Sequence, residues 1–439
     1  MKSKETMFFP AKEEAGETLK ISVFDMDATP PAGSYLTYNQ MIGTWDLGLR
    51  AKGVVLTGTG APIVMCAVDW IGIYNESQDI FKQVLANAVG TDLKRVVVHS
   101  LHQHDAPICD FSAEKMMKEM GIAPVAFEGG FAREFLTRLG KAAKESLEKL
   151  QPVTDISTGK APVYEVASNR RIVKNGKVVA TRFSSCGDAA LRSEPEGLID
   201  PDVTLIGFWN GNKPVAVMTF YATHPQSYYR TGIPNPDFPG LARFYRQLAI
   251  PGALHIHFAG AGANTGAGKY NDGSHENRMI LAGRLADGME RAWKNSVKIP
   301  VTAGDLSWKT EPVLLPVADE KVRQIESQIR TSDWPYQVSM YSIVWAKRTR
   351  AGKAIDIACL TAGKAKVLFA PGELFVEYQL AAKALRPDLA VSVAAYGDGG
   401  PGYIGLKEAY RQGGYEIDVS CVTGDAEEIL INAFRKLLM

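Results

Sequence analysis

Short runs of apolar and β-branched residues alternate along this chain with longer amphipathic stretches, and that alternation restricts it to an α/β fold. "PIVMCAVD" (62–69) reads as a strand. The following "NESQDIFKQVLANAVG" reads as a helix with Ile80, Val84 and Ala88 on one face and Gly90 as its stop. "RVVVHS" is the next strand, and "KPVAVMTFYATH", "ALHIHFAG", "KAKVLFAPG" and "AVSVAAYG" continue the series. Helices are predicted over 131–152, 276–294, 319–331, 373–386 and 425–438. The first of these turns Phe135, Leu139 and Leu150 inward and stops at Pro152. The last opens with Asp425 and Glu428 in capping-box spacing. The stretch 150–200 is rich in turn signals and reads as hairpins. With no repeat and no linker in view, residues 1–439 are read as one mixed α/β domain.

Composition narrows the function classes. The 49 basic and 48 acidic residues leave a net charge of +1 without a long basic stretch, which excludes a nucleic-acid surface. "KRTRAGK" (347–353), the densest cationic run, reads as a solvated hairpin. The five cysteines are scattered and form no C-x-x-C pair, so neither a disulfide framework nor a thiolate zinc site is indicated. Cys66 and Cys359 lie in strand-like runs and read as core residues. No run of about 18 apolar residues suits a membrane span, and residues 1–17 lack the apolar segment of a leader. The protein is read as soluble, either cytoplasmic or exported with its leader removed.

Histidines are few, and their placement carries the chemistry. Of seven, three (His99, His102, His104) fall within "HSLHQH", directly behind an apolar strand. His102 and His104 are two apart, so an extended segment points both to one face, as a metal or catalytic pair or as a hydrogen-bonded structural pair. His224 ends another strand, Glu373 follows "VLFAPG", and Tyr403 follows "VSVAAYGDGGPG". Loops beyond strand ends converge in α/β folds, so these four positions are candidates for one site. Imidazole with carboxylate suits a borderline cation such as Zn²⁺, which activates water when one position stays open. His255 and His257, also an H-x-H, lie inside an apolar run and read as buried, hydrogen-bonded sheet histidines. "GAGANTG" (260–266) misses the dinucleotide fingerprint because its third glycine is late and no helix follows directly.

"LHQHDAP", "SNRRI", "LIDPDVTLIGF", "YATHP", "PDFPGLAR", "APGELF" and "YIGLKEAYRQGGYE" resemble, in order and spacing, the catalytic domain of neutral ceramidases, zinc-dependent amidases that cleave the N-acyl bond of ceramide. The resemblance runs from "DMDATPPAG" to Glu416. It implies mixed sheets packed together and flanked by helices. It also implies Zn²⁺ ligands at His102, His224, Glu373 and Tyr403, with His104, Tyr415 and Arg170 facing the substrate carbonyl and Arg171 as the fallback for Arg170. In that reading zinc supplies hydroxide at neutral pH, His104, Tyr415 and Arg170 stabilise the oxyanion, and His104 is the first choice to protonate the leaving amine. His99, back on the strand, reads as a structural or supporting residue.

The chain departs from the family around that set. The immunoglobulin-like domain that follows in neutral ceramidases is expected to be missing. "LHQHD" stands where the family has T-H-T-H-S, which puts Asp105 beside the site. "GANTGA" places Thr265 where the family has a serine. The expected function is zinc-dependent hydrolysis of an N-acyl amide, sphingolipid-like or other. One alternative is a carbohydrate-active enzyme working on a glycan or acylated sugar, suggested by the aromatic and polar cluster "HPQSYYRTGIPNPDF" (224–238). A second is a binding protein with a structural metal. The partner in either enzymatic case is a small molecule, a lipid amide or a sugar derivative; oligomeric state is left open.

Overall fold

The computed structural model describes residues 18–45, 47–332 and 334–439. Residues 1–17, which the sequence reads as lacking the apolar segment of a leader, lie outside them.

Three sheets share one interior. The first contains β1 (Lys20–Asp27), β2 (Arg50–Thr57), β3 (Ile63–Val68) and β4 (Val96–Ser100), in the order β4-β3-β2-β1 with Gln151–Pro152 beyond β1. The second contains β5 (Asp155–Pro162), β6 (Asp202–Asn210), β7 (Lys213–Tyr221), β8 (Leu254–Ala259) and β9 (Val297–Pro300), in the order β8-β7-β6-β5-β9. The third runs β10 (Leu306–Val313), β11 (Ile355–Ala362), β12 (Ala365–Phe369) and β13 (Ala390–Ala394). Successive side chains point to opposite faces, so β3 sends Ile63, Met65 and Ala67 to the space between sheets and Val64, Cys66 and Val68 outward to helices. Met218 and Phe220 of β7, Phe258 of β8 and Leu360 of β11 meet the first set in the same central core. Burial on both faces is why these strands read as continuous apolar runs.

Each sheet carries one parallel pair at an edge: β3 with β4, β7 with β8, and β12 with β13. A parallel pair needs a crossover, and helices supply it. These are α1 (Asn75–Val89) in the first sheet, α3 (Asp237–Ala249) in the second and α6 (Val376–Leu385) in the third; α2 (Gly130–Ser146), α4 (Glu276–Lys294), α5 (Met340–Arg350) and α7 (Ala426–Leu438) pack around them. Beyond the strand ends the three sheets are stitched by backbone bonds. Ser100 N–H donates to Tyr396 at 2.9 Å, and Ala395 N–H donates to Ala259 at 2.9 Å. The loops that leave all three parallel pairs therefore start from one small region.

Gly90 ends α1 in the left-handed conformation (φ 72°), as its position predicts. The inner face of α1 is Phe81, Leu85 and Val89, while Ile80, Val84 and Ala88 lie at its half-buried flank. The long second helix stops at Ser146, short of Leu150. The expected capping box at 425 does not form: Asp425 is already helical and contacts Lys407 Nζ at 3.2 Å, while Glu427 accepts from Lys407 N–H. "KRTRAGK" is the end of α5 followed by a turn, its cations placed where a helix dipole favours them. Within 150–200 a hairpin does form (Arg171–Lys174 with Lys177–Thr181), but Asp155–Pro162 belongs to the second sheet. All five cysteines are free and buried. Among the described residues no helix is long and apolar enough to cross a membrane.

His255 and His257 lie buried on β8; His257 Nδ1 pairs with Thr219 Oγ1 at 2.9 Å, whereas His255 Nε2 has no partner. His99 Nδ1 donates to the Ala395 carbonyl at 2.7 Å. Burial pushes these three down, His99 to about 4 and the other two to about 3, below the ordinary 6.5. The unfolded chain thus binds more protons, and the stability these groups contribute above pH 6.5 is lost as pH falls towards 3. Urea melts at pH 4.5 should show stability lower than at pH 7.5, by on the order of a few kcal/mol. An equal or higher urea midpoint at pH 4.5 would contradict neutral burial of these rings.

Candidate metal centre

The segment after β4 turns back on itself. His102 N–H donates to Trp70 carbonyl at 3.0 Å, and His102 takes a left-handed backbone (φ 70°), a conformation that costs a non-glycine residue roughly 1–2 kcal/mol. The H-x-H is therefore not extended, and alternation does not bring its rings together. The turn does, at 5.3 Å between centroids. His102 Nδ1 lies 2.7 Å from the carbonyl of Ile71, which can only accept, so Nδ1 carries the proton and Nε2 presents its lone pair. That lone pair faces Glu373 Oε2 across 3.3 Å. Two acceptors in this position need either a proton on Nε2 or a cation shared between them.

The other groups arrive from the remaining strand ends. His224 follows β7 and is held by its N–H to Thr265 carbonyl at 3.1 Å. Glu373–Leu374 pairs in parallel with Tyr403–Ile404, which sets Glu373 directly beside Tyr403; helix α6 begins only after this short pairing, later than the periodicity predicts. One ring nitrogen each of His102, His104 and His224 lies within 4.8 Å of the others. Tyr403 lies parallel to His224 at 6.5 Å, and its hydroxyl accepts from Arg170 Nη1 at 3.4 Å. Tyr415 stands edge-on to Tyr403 at 5.9 Å and is 39% exposed at the mouth. All seven residues singled out from the sequence thus meet at one place. Arg171, the fallback, does not: it reaches Glu416 and the carbonyl of Gly413 and ties down the segment behind the site.

Electrostatics favours ligands over ions here. Burial above all, with the Arg170 cation adding to it, holds His104 and His224 far below the usual imidazole range, so both are neutral at pH 7. Burial, then the Glu373 carboxylate, pushes Tyr403 up, and Arg170 opposes that shift. His104 Nδ1, His224 Nδ1 and Glu373 Oε2 are buried without a hydrogen-bond partner. Neutral imidazoles, a carboxylate and a phenol, with acceptor facing acceptor and three orphaned atoms, fit a borderline divalent cation such as Zn²⁺.

Sequence reasoning missed several neighbours. Tyr396 stacks on His102 at 4.3 Å with its hydroxyl buried and unpartnered. Gln103, between the two histidines, donates to the carbonyl of Asp69. Tyr38 lies parallel to His104 at 5.8 Å, and Tyr229 meets both rings edge-on. Tyr229 belongs to the 224–238 cluster, but Tyr38 gave no local signal. Asp105 accepts from Arg230 N–H at 2.8 Å and Thr231 Oγ1 at 2.7 Å, so it anchors that cluster instead of facing a substrate. The Thr265 hydroxyl bonds the Ala222 carbonyl at 3.2 Å. His102, His104, Glu373, Tyr403 and Tyr415 line a cleft of about 420 Å³.

A scan against protein-family models and a search of curated proteins return no match. Solved structures do match. A ceramidase in complex with C2 superposes with a TM-score of 0.69 at 14% identity, over 96% of this chain and 75% of that one. The neutral ceramidase from Pseudomonas aeruginosa gives 0.66 at 14% identity, over 96% and 74%. Three sheets joined at their parallel edges, with this coverage, give the chain the fold of the neutral ceramidases.

Proposed function

We propose that this protein is a metal-dependent amidohydrolase, with Zn²⁺ held by His102, His224, Glu373 and Tyr403 and an N-acyl amide as its substrate. The observation that carries the reading is the 3.3 Å approach of Glu373 Oε2 to the lone-pair side of His102, beside two neutral buried histidines. The fold shared with ceramidases supports an amide as the bond attacked. Zinc in such a site supplies Lewis acidity and a water acidic enough to ionise near pH 7.

The remaining work falls to the chain. The Ile71 carbonyl keeps the His102 proton on Nδ1, so Nε2 stays available as a ligand. Arg170, buried and charged, donates to the Tyr403 hydroxyl and so stabilises negative charge on that oxygen. His104, neutral and lining the cleft, takes a proton from the attacking water and returns one to the leaving amine. Tyr415 at the mouth donates its hydroxyl to the developing oxyanion.

The test is elemental analysis of the purified protein together with amine release from a panel of N-acyl substrates. Near-stoichiometric zinc with turnover is expected; bound metal without turnover on any amide would favour a structural metal in a binding protein. Tyr415→Phe should lower kcat by about 10²-fold with zinc content unchanged, the typical effect of one oxyanion donor. Unchanged kcat would remove Tyr415 from that role.

A further inference from the structure

We infer that the amide cleaved here joins a short acyl group to a polyhydroxylated amine of the amino-sugar kind, not a long fatty acid to a sphingoid base. The inference rests on the amidohydrolase reading above and concerns the walls of the cleft.

Among the described residues the aliphatic lining is sparse: Ile71, Ile108, Ile325, Val338 and Val419. A long acyl chain gains from each buried methylene only against a continuous apolar wall. Here the wall is interrupted by Lys321, Gln324, Gln328, Ser339 and Asp418. A volume of about 420 Å³ suits one compact ligand, not two extended hydrocarbon chains.

The tyrosines point the same way. Among the described residues the hydroxyls of Tyr38, Tyr74 and Tyr415 have no hydrogen-bond partner, though all three residues line the cleft. Hydroxyls that make no bond within the chain and open to the cleft are available to a ligand that brings its own donors and acceptors. A site built to bond a substrate hydroxyl can reject an analogue lacking it by roughly 10⁴–10⁵-fold.

An aromatic cluster braces the side of the cleft where Tyr38 and His104 line it. Tyr38 lies parallel to His104, Tyr229 meets it edge-on at 5.2 Å, and the Arg230 guanidinium sits over both tyrosine rings. Asp105, adjacent to His104 in sequence, pins Arg230 and Thr231 through their backbone N–H groups. Tyr38, which lines the cleft, is therefore held in fixed register with His104. An amino sugar, with C–H faces and a rim of hydroxyls, matches a cleft lined by tyrosine hydroxyls and the amides of Gln324 and Gln328.

The experiment uses the zinc-loaded protein and two substrate series, N-acylglucosamines and N-acylsphingosines, each with 2-, 8- and 16-carbon acyl groups. Amine release is the readout. N-acetylglucosamine should exceed the two-carbon ceramide by at least 100-fold in kcat/KM, and extending its acyl group to eight carbons should cost at least tenfold. Tyr38→Phe should raise KM for N-acetylglucosamine about tenfold. Preference for ceramides, or rates that rise with acyl length, would overturn this inference while leaving the amidohydrolase reading in place. No turnover of either series by metal-loaded protein would sink both.

Discussion

Replacing His102 and His224 together by alanine should abolish zinc binding and lower amide turnover by about 10³-fold or more, since a Lewis acid supplies several kcal/mol of transition-state stabilisation. Both rings are buried, and both lie within ligand distance of His104. The loss should exceed that of Tyr415→Phe, because in the proposed site the metal and the water it activates would be lost together. Elemental analysis beside the wild type is the direct check, with circular dichroism to show that the sheets persist. Full zinc occupancy in the double variant would mean that the metal sits elsewhere and that this cluster is only a buried polar network.

Arg243→Met should destabilise the fold by about 3–5 kcal/mol. Arg243 grips Asp69 through two bonds of 2.7 Å, and Asp69 is fully buried at the end of β3. Removing the cation leaves a carboxylate that neither water nor another cation can reach cheaply. Asp69 also accepts the Arg50 N–H at 2.9 Å, and its carbonyl takes the side chain of Gln103, which sits between the two site histidines. Zinc affinity should therefore fall along with the urea midpoint. Asp69→Leu combined with Arg243→Met should recover much of the stability, because an apolar pair removes the uncompensated charge. A single-variant loss below about 1 kcal/mol would show that the pair is solvated.

Much of the fold was legible because its strands are buried on both faces. Continuous apolar runs marked β3, β4, β7, β8, β12 and β13, and the stretches between them held the crossover helices. Boundaries fared worse where tertiary contacts compete with local preference. Periodicity predicts a helix from Glu373, but its N–H is taken by the carbonyl of Gly402, and the helix waits until Val376. The spacing of Asp425 and Glu428 predicts a cap, but Lys407 draws the Asp425 side chain away. α3 went unread because its "PDFPGLARF" carries a proline and a glycine near its start.

The chemistry followed the same division. The chain's own order of residues determined that two histidines, a third histidine, a glutamate and a tyrosine stand just past the ends of buried strands, since burial and chain direction are written locally. Only the tertiary structure decided that these ends meet. That depends on Ser100 bonding Tyr396 and Ala395 bonding Ala259, contacts between residues more than a hundred positions apart that no local pattern encodes. It also decided which atoms face one another. The left-handed turn at His102 and the Ile71 carbonyl aim Nε2 at Glu373, and Tyr38, distant in sequence, becomes the wall beside His104. Residue type and spacing limit what a site can do, but only long-range packing sets the distances that let it do so.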